Sequence, residues 1–169
     1  MASFWIFLPA ALFGGFWDLR HRRVPNLLNL GILLAAFAWH TRCGSVPAAF
    51  GGAALGLAAL LMPYFTGGMG AGDVKFMAAL CAAAAFPRAV DVVLWSALSG
   101  GLLVFVLALG PADWKEAWLS IASGKGEGFF RAFRTVASRR REKVPYAMAM
   151  TAGFVLSAFF PVFPWGGPS

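Results

Sequence analysis

The chain has only seven acidic residues in 169, and two of them stand where chemistry is the natural explanation. Asp73 sits in Gly67–Lys75, read GGMGAGDVK, where hydrophobic sequence would otherwise run almost unbroken. A carboxylate at the edge of hydrocarbon is costly unless it is paired, neutralised or wetted, so such an acid marks a candidate functional site. The glycines around it, Gly67, Gly68, Gly70 and Gly72, permit close backbone approach. Asp18 closes the first apolar run and opens the segment DLRHRRVPN, residues 18–26. Two carboxylates brought to one place can share a proton. One then accepts a proton from water while the other, still protonated, polarises a carbonyl. Like charges a few ångströms apart cannot both ionise, so their titration would belong to the pair.

The elements that must position these acids are apolar throughout. The chain is 60% hydrophobic and 12% charged, with a mean hydropathy of +0.72. Most segments lack the polar face that a soluble helix needs, which points to a membrane composition. The reading is an all-α, polytopic membrane protein, a single integral-membrane domain over residues 1–169 with about six transmembrane helices. The spans fall at 2–17, 27–40, 48–65, 74–86, 89–109 and 144–163, with one long basic cytoplasmic loop at 110–143. The first span lacks a basic n-region and a small-residue cleavage site, so it reads as a retained helix. Pro25 biases Val24 away from helix and suits the opening of the second span.

TRCGSVP, residues 41–47, reads as a tight turn. In the third span the Gly52 to Gly56 spacing is a small-xxx-small pattern that permits close helix packing, although small residues are common in membrane helices anyway. The fourth span, ending before Pro87, is too short to cross a hydrocarbon layer alone. It is expected to start inside the membrane, with Asp73 near its N-terminus and the glycine loop descending to meet it. In the long loop, Phe129, Phe130, Phe133, Val136 and Ala137 recur at helical spacing among arginines, as in a helix lying on the membrane surface, with a partly disordered basic linker as the alternative.

Charge sets the expected orientation. With both termini outside, all but Arg42 and Arg88 of the 14 Lys and Arg fall on the cytoplasmic side. Asp18 and Asp73 then share the cytoplasmic face. The net charge of +7 is accounted for by basic loops facing an anionic leaflet, so no nucleic-acid partner is expected. Asp91, three residues after Arg88, reads as a solvated pair or helix-start charge on the opposite side. Asp113, Glu116, Glu127 and Glu142 lie among basic residues of the loop and read as solvated. Cys43 and Cys81 are too few for a four-thiolate zinc site and read as small apolar filler, with a disulfide as the alternative. No metal or organic cofactor is expected.

DLRHRRVPN after the first span, GAGDVK opening a later one and KVPY opening the last together resemble the type IV prepilin peptidase family, in particular the short form that serves Flp or tight-adherence pili. That family belongs with the GxGD intramembrane aspartyl proteases, and the element here is Gly70-Ala71-Gly72-Asp73. The resemblance implies an aspartic-type endopeptidase of the bacterial inner membrane that cleaves a prepilin leader at the cytoplasmic face. The cut would fall after a glycine, just before the pilin's hydrophobic N-terminal helix. By that likeness Asp18 and Asp73 are the catalytic pair, with the prepilin and the lipid bilayer as partners. Gly70, Gly72, Lys75, Pro25, Asn26, Pro145 and Tyr146 would shape the site or meet substrate. Lys75 would either hold the ionised acid or snorkel to the interface.

Two features depart from the family's pattern. The longer members carry a cysteine tetrad for zinc and couple cleavage to N-methylation, and this chain cannot build that site, so methyltransferase activity is not expected. Ala147 stands where the short form often has glycine. Two other classes compete. A small transporter or channel would also carry acids and glycine-broken helices, but no internal repeat is present and both key acids sit at one face. A non-catalytic assembly factor of a pilus or secretion system would keep the fold without the activity.

Overall fold

The computed structural model describes residues 2–21, 24–65, 69–108 and 146–163. They form six α-helices, and among the described residues there is no strand: α1 Ala2–His21, α2 Asn26–Arg42, α3 Val46–Phe65, α4 Ala71–Ala84, α5 Ala89–Ala108 and α6 Tyr146–Phe159. The all-α class is as expected. Met1–Gly100 and Pro145–Ser169 make one compact unit. Of the other, Gly101–Val144, only the end of α5 is described. The surface helix expected in the loop at 110–143 lies outside the described residues, as do Asp113, Glu116, Glu127 and Glu142.

The first unit is organised around α4. Every residue from Phe76 to Ala85 is buried, and the helix packs chiefly on α3 and α2, with smaller contacts to α1 and α6. Its alanine-rich stretch presents little beyond the backbone, so neighbours can come close. On α3 the small-xxx-small pair meets it: a methyl group at Gly52 would overlap the Cys81 carbonyl, and one at Gly56 would stand 2.9 Å from the Met77 carbonyl oxygen. Dispersion between closely set backbones, not bulky side chains, holds this pair together.

On the other flank α1 and α6 pack together. The Phe4 and Phe154 rings pack at 4.9 Å, tilted by 30°, and the buried Thr151 hydroxyl donates to the Ala11 carbonyl at 2.9 Å. Ser99 on α5 donates to the Ala149 carbonyl at 2.7 Å, which ties α5 to α6. Hydroxyl-to-carbonyl links of this kind satisfy polar groups where the surroundings offer no water.

Several boundaries differ from the sequence reading. α1 does not stop at Trp17 but runs through Asp18 to His21. Arg20 and His21 suit its C-terminal end, and the Trp17 and His21 rings stack one turn apart at 4.3 Å. The expected fourth span, 74–86, starts at Ala71, so Asp73 lies inside the first turn of α4. Pro25 occupies the N-cap of α2, just before its first turn. α6 is shorter than 144–163, ending at Phe159 as Pro161 approaches.

The two cysteines are free, Cys81 buried and Cys43 exposed. Asp91 is not solvated: it is buried in the first turn of α5, where the amide-rich end of a helix favours a carboxylate. By length and composition α3 qualifies as a membrane span. α6 and the 89–103 part of α5 are apolar but shorter.

Candidate active site

The C-terminal end of α1 and the N-terminal ends of α2, α4 and α6 converge. Asp18, on the last turn of α1, is 3% exposed. Its Oδ2 accepts a hydrogen bond from the backbone amide of Ala147 at 3.1 Å, and the Met148 amide also reaches this carboxylate. The first turn of a helix has amides without intrahelical acceptors and a partial positive charge. A buried carboxylate and those amides therefore satisfy each other.

Asp73 is held differently. It is the third residue of α4, and its Oδ2 accepts from the amide of Gly70, the N-cap, at 3.1 Å. Gly70 has φ −84° and ψ 152°, so the chain enters the helix from an extended segment. The carboxylate thus caps its own helix, as a glutamate does in a capping box. Asp73 is half-buried, while Gly70 is exposed.

The first turn of α6 binds Asp18 through Ala147, and the adjoining Tyr146 is half-buried. Asp18 is the most buried of the acidic groups near this end, and Asp73 the more accessible.

The remaining sequence-derived candidates divide. Gly72 sits at the packing seam, where a methyl would meet the Val24 carbonyl oxygen at 3.6 Å. Its own carbonyl takes a hydrogen bond from the Asn29 side chain at 3.0 Å. Lys75 and Asn26 are both exposed. Pro25 is half-buried and reaches an apolar groove between α1 and α2. Pro145, Gly67 and Gly68 lie outside the described residues.

Asn29 is the residue that sequence reasoning missed. It is an amide in the middle of the apolar run NLLNLGIL, which is the same kind of signal that singled out Asp73. A search for ionisable groups passes over it.

The groove has a volume of about 580 Å³ and is walled by apolar side chains, among them Phe7, Phe13, Trp17, Leu28 and Ile32. It runs along α1 to Trp17, the neighbour of Asp18. Among the described residues no group of three or more His, Cys, Asp or Glu could hold a metal ion.

The sequence model of the type IV leader peptidase family matches residues 5–106. The match contains both aspartates and the Asn29 to Gly72 link, and it ends before α6 begins. No curated protein and no solved structure matches the chain.

Proposed function

This chain belongs to the type IV leader peptidase family, and from that premise we propose that it is an aspartic endopeptidase that removes the leader of Flp-like prepilins, with Asp18 and Asp73 as a dyad. The observation that carries the reading is the meeting of helix ends: α2 begins at Asn26, soon after α1 ends at His21 beyond Asp18, and its Asn29 holds the Gly72 carbonyl next to Asp73. Two acids brought to one end of the bundle can work on one substrate.

In this mechanism one carboxylate of the pair is ionised and the other protonated. The ionised member takes a proton from water as the water oxygen bonds to the scissile carbonyl carbon. The protonated member hydrogen-bonds the carbonyl oxygen and neutralises the charge that develops there. As the tetrahedral intermediate collapses, the C–N bond breaks and the leaving nitrogen takes a proton from the dyad. Water is the only co-reactant, and the products are a leader acid and a pilin amine.

Large apolar side chains that face outward, including Phe16, Leu27, Met62 and Phe65, support a bundle embedded in lipid. We assign it to the bacterial cytoplasmic membrane as a multi-pass protein, with the dyad at the cytoplasmic face and both termini outside. The positive-inside distribution of Lys and Arg supports that orientation. The groove beside Trp17 suits the apolar segment that follows the cleavage point, with the leader remaining in the cytoplasm near the acids.

The test uses membranes containing the wild type, Asp18→Ala or Asp73→Ala together with a cognate prepilin. The wild type should give the processed band and neither variant should. Cleavage that persists in either variant removes the dyad. A wild type that processes no cognate prepilin favours the assembly-factor reading.

A further inference from the structure

Asn29 is 3% exposed, on the second turn of α2. Its Nδ2 donates to the carbonyl oxygen of Gly72 at 3.0 Å, a link across 43 residues of sequence. Its Oδ1 is buried too and finds no hydrogen-bond partner among the described residues. A buried amide with one satisfied end is uncommon and is usually retained for a reason other than packing.

The partner's position supplies that reason. Gly72 immediately precedes Asp73, and both lie in the first turn of α4. That turn is held internally by the Asp73 and Val74 amides, which donate to the Gly70 carbonyl at 3.1 and 3.4 Å. The Asn29 contact is its side-chain tether to α2. A glycine on each side of Ala71 leaves this stretch with little side-chain packing to hold it.

We propose that Asn29 is a positioning residue for the proteolytic dyad: by gripping the Gly72 carbonyl it fixes the first turn of α4 and so the place of the Asp73 carboxylate. The inference rests on the peptidase reading for its consequence in catalysis, but its structural half stands apart from it. A tether of this kind acts on the reacting geometry and not on substrate affinity. A misplacement of about 1 Å can lower turnover roughly 100-fold.

The test compares the full-length wild type with Asn29→Leu, which keeps the side-chain size and removes both polar atoms, and Asn29→Gln, which keeps the amide. Prepilin cleavage is measured in lipid nanodiscs, and hydrogen exchange is followed at Asp73 and Val74. Asn29→Leu should lower kcat about 10- to 100-fold with KM within about twofold of wild type. Asn29→Gln should recover part of the loss. Exchange at Asp73 and Val74 should quicken in Asn29→Leu, while amides at the far end of α4 keep their wild-type rates.

An unchanged kcat, a loss carried by KM, or equal losses in the two variants would overturn the assignment. If Asn29→Leu loosens all of α4 equally, Asn29 is a packing residue and the inference also fails. A wild type that cleaves no prepilin would defeat the peptidase reading alone. The exchange measurement would still decide whether Asn29 tethers the turn, with unaltered rates at Asp73 and Val74 counting against it.

Discussion

The carboxylate of Asp18, near the end of the first helix, is bound by the backbone amide of Ala147, in the first turn of the last described helix, at 3.1 Å. The contact gives Asp18 a structural role that can be separated from a chemical one. Asp18→Asn keeps an oxygen to accept the amide but cannot take up or release the proton that the proposed dyad requires. It should lose cleavage by about 10²- to 10⁴-fold while unfolding at nearly the wild-type temperature. Asp18→Ala should lose cleavage equally and also stability, by about 1–3 kcal/mol, because buried amides lose their acceptor. Gel-based prepilin processing and thermal unfolding of the purified protein check the two halves.

Asp73 offers the matching separation at the other carboxylate. Its Oδ2 caps α4 through the Gly70 amide, and Asp73→Asn can still do so through its carbonyl oxygen. The expected result is an inactive protein with an intact first turn. For the wild type, a dyad that needs one proton on two acids predicts a bell-shaped dependence of kcat/KM on pH, with both limbs belonging to the pair. A profile with a single limb between pH values where the protein stays folded would mean that only one carboxylate takes part.

The features legible in the sequence were those written in residue type alone. Asp73 stood out as charge in apolar surroundings, and Asp18 through its place at the same expected face and the resemblance carried by DLRHRRVPN. Gly52 and Gly56 marked a close helix contact because such a contact needs nothing but missing side chains. Boundaries were harder. An apolar count ends α1 at Trp17, yet backbone hydrogen bonding needs no apolar residue, and the stacked Trp17 and His21 rings help carry the helix on to His21. At α4 Asp73 was expected near the helix N-terminus, but the helix starts three residues before Val74, and the Asp73 carboxylate caps it from within its first turn. Asn29 carried a local signal, a polar amide in an apolar run, but its role depends on a partner distant in sequence, Gly72, which that signal does not identify.

The seam between α3 and α4 should tolerate almost no added volume. A side chain at Gly52 would run into the Cys81 carbonyl, which is backbone and cannot swing aside. Gly52→Val should therefore cost about 1–3 kcal/mol of stability, and by displacing α4 it should lower cleavage as well. Gly44→Ala offers a contrast of a different kind: space is open around it, but its φ of +67° is unfavourable for any residue with a Cβ. That variant should lose a little stability and no activity, since the turn lies at the end of α2 away from Asp18. Thermal unfolding in detergent, with processing assays on the same preparations, distinguishes the two.

Gly31 tests the groove. It lines the apolar channel between α1 and α2, and a methyl placed there meets nothing within 4 Å. A larger side chain would extend from that open position into the groove, and in mid-helix it replaces the poorest ordinary helix former. Gly31→Leu should therefore fold at least as well as the wild type. If the groove receives the apolar segment of the prepilin, KM should rise about 10-fold or more, since losing one well-packed apolar contact is worth about 1–3 kcal/mol, while kcat at saturating substrate changes little. The two aspartates are untouched, so processing should approach the wild-type rate at high substrate concentration and slow only at low concentration. An unchanged KM with a stable, well-folded variant would place the pilin helix elsewhere on the bundle and leave this groove to lipid.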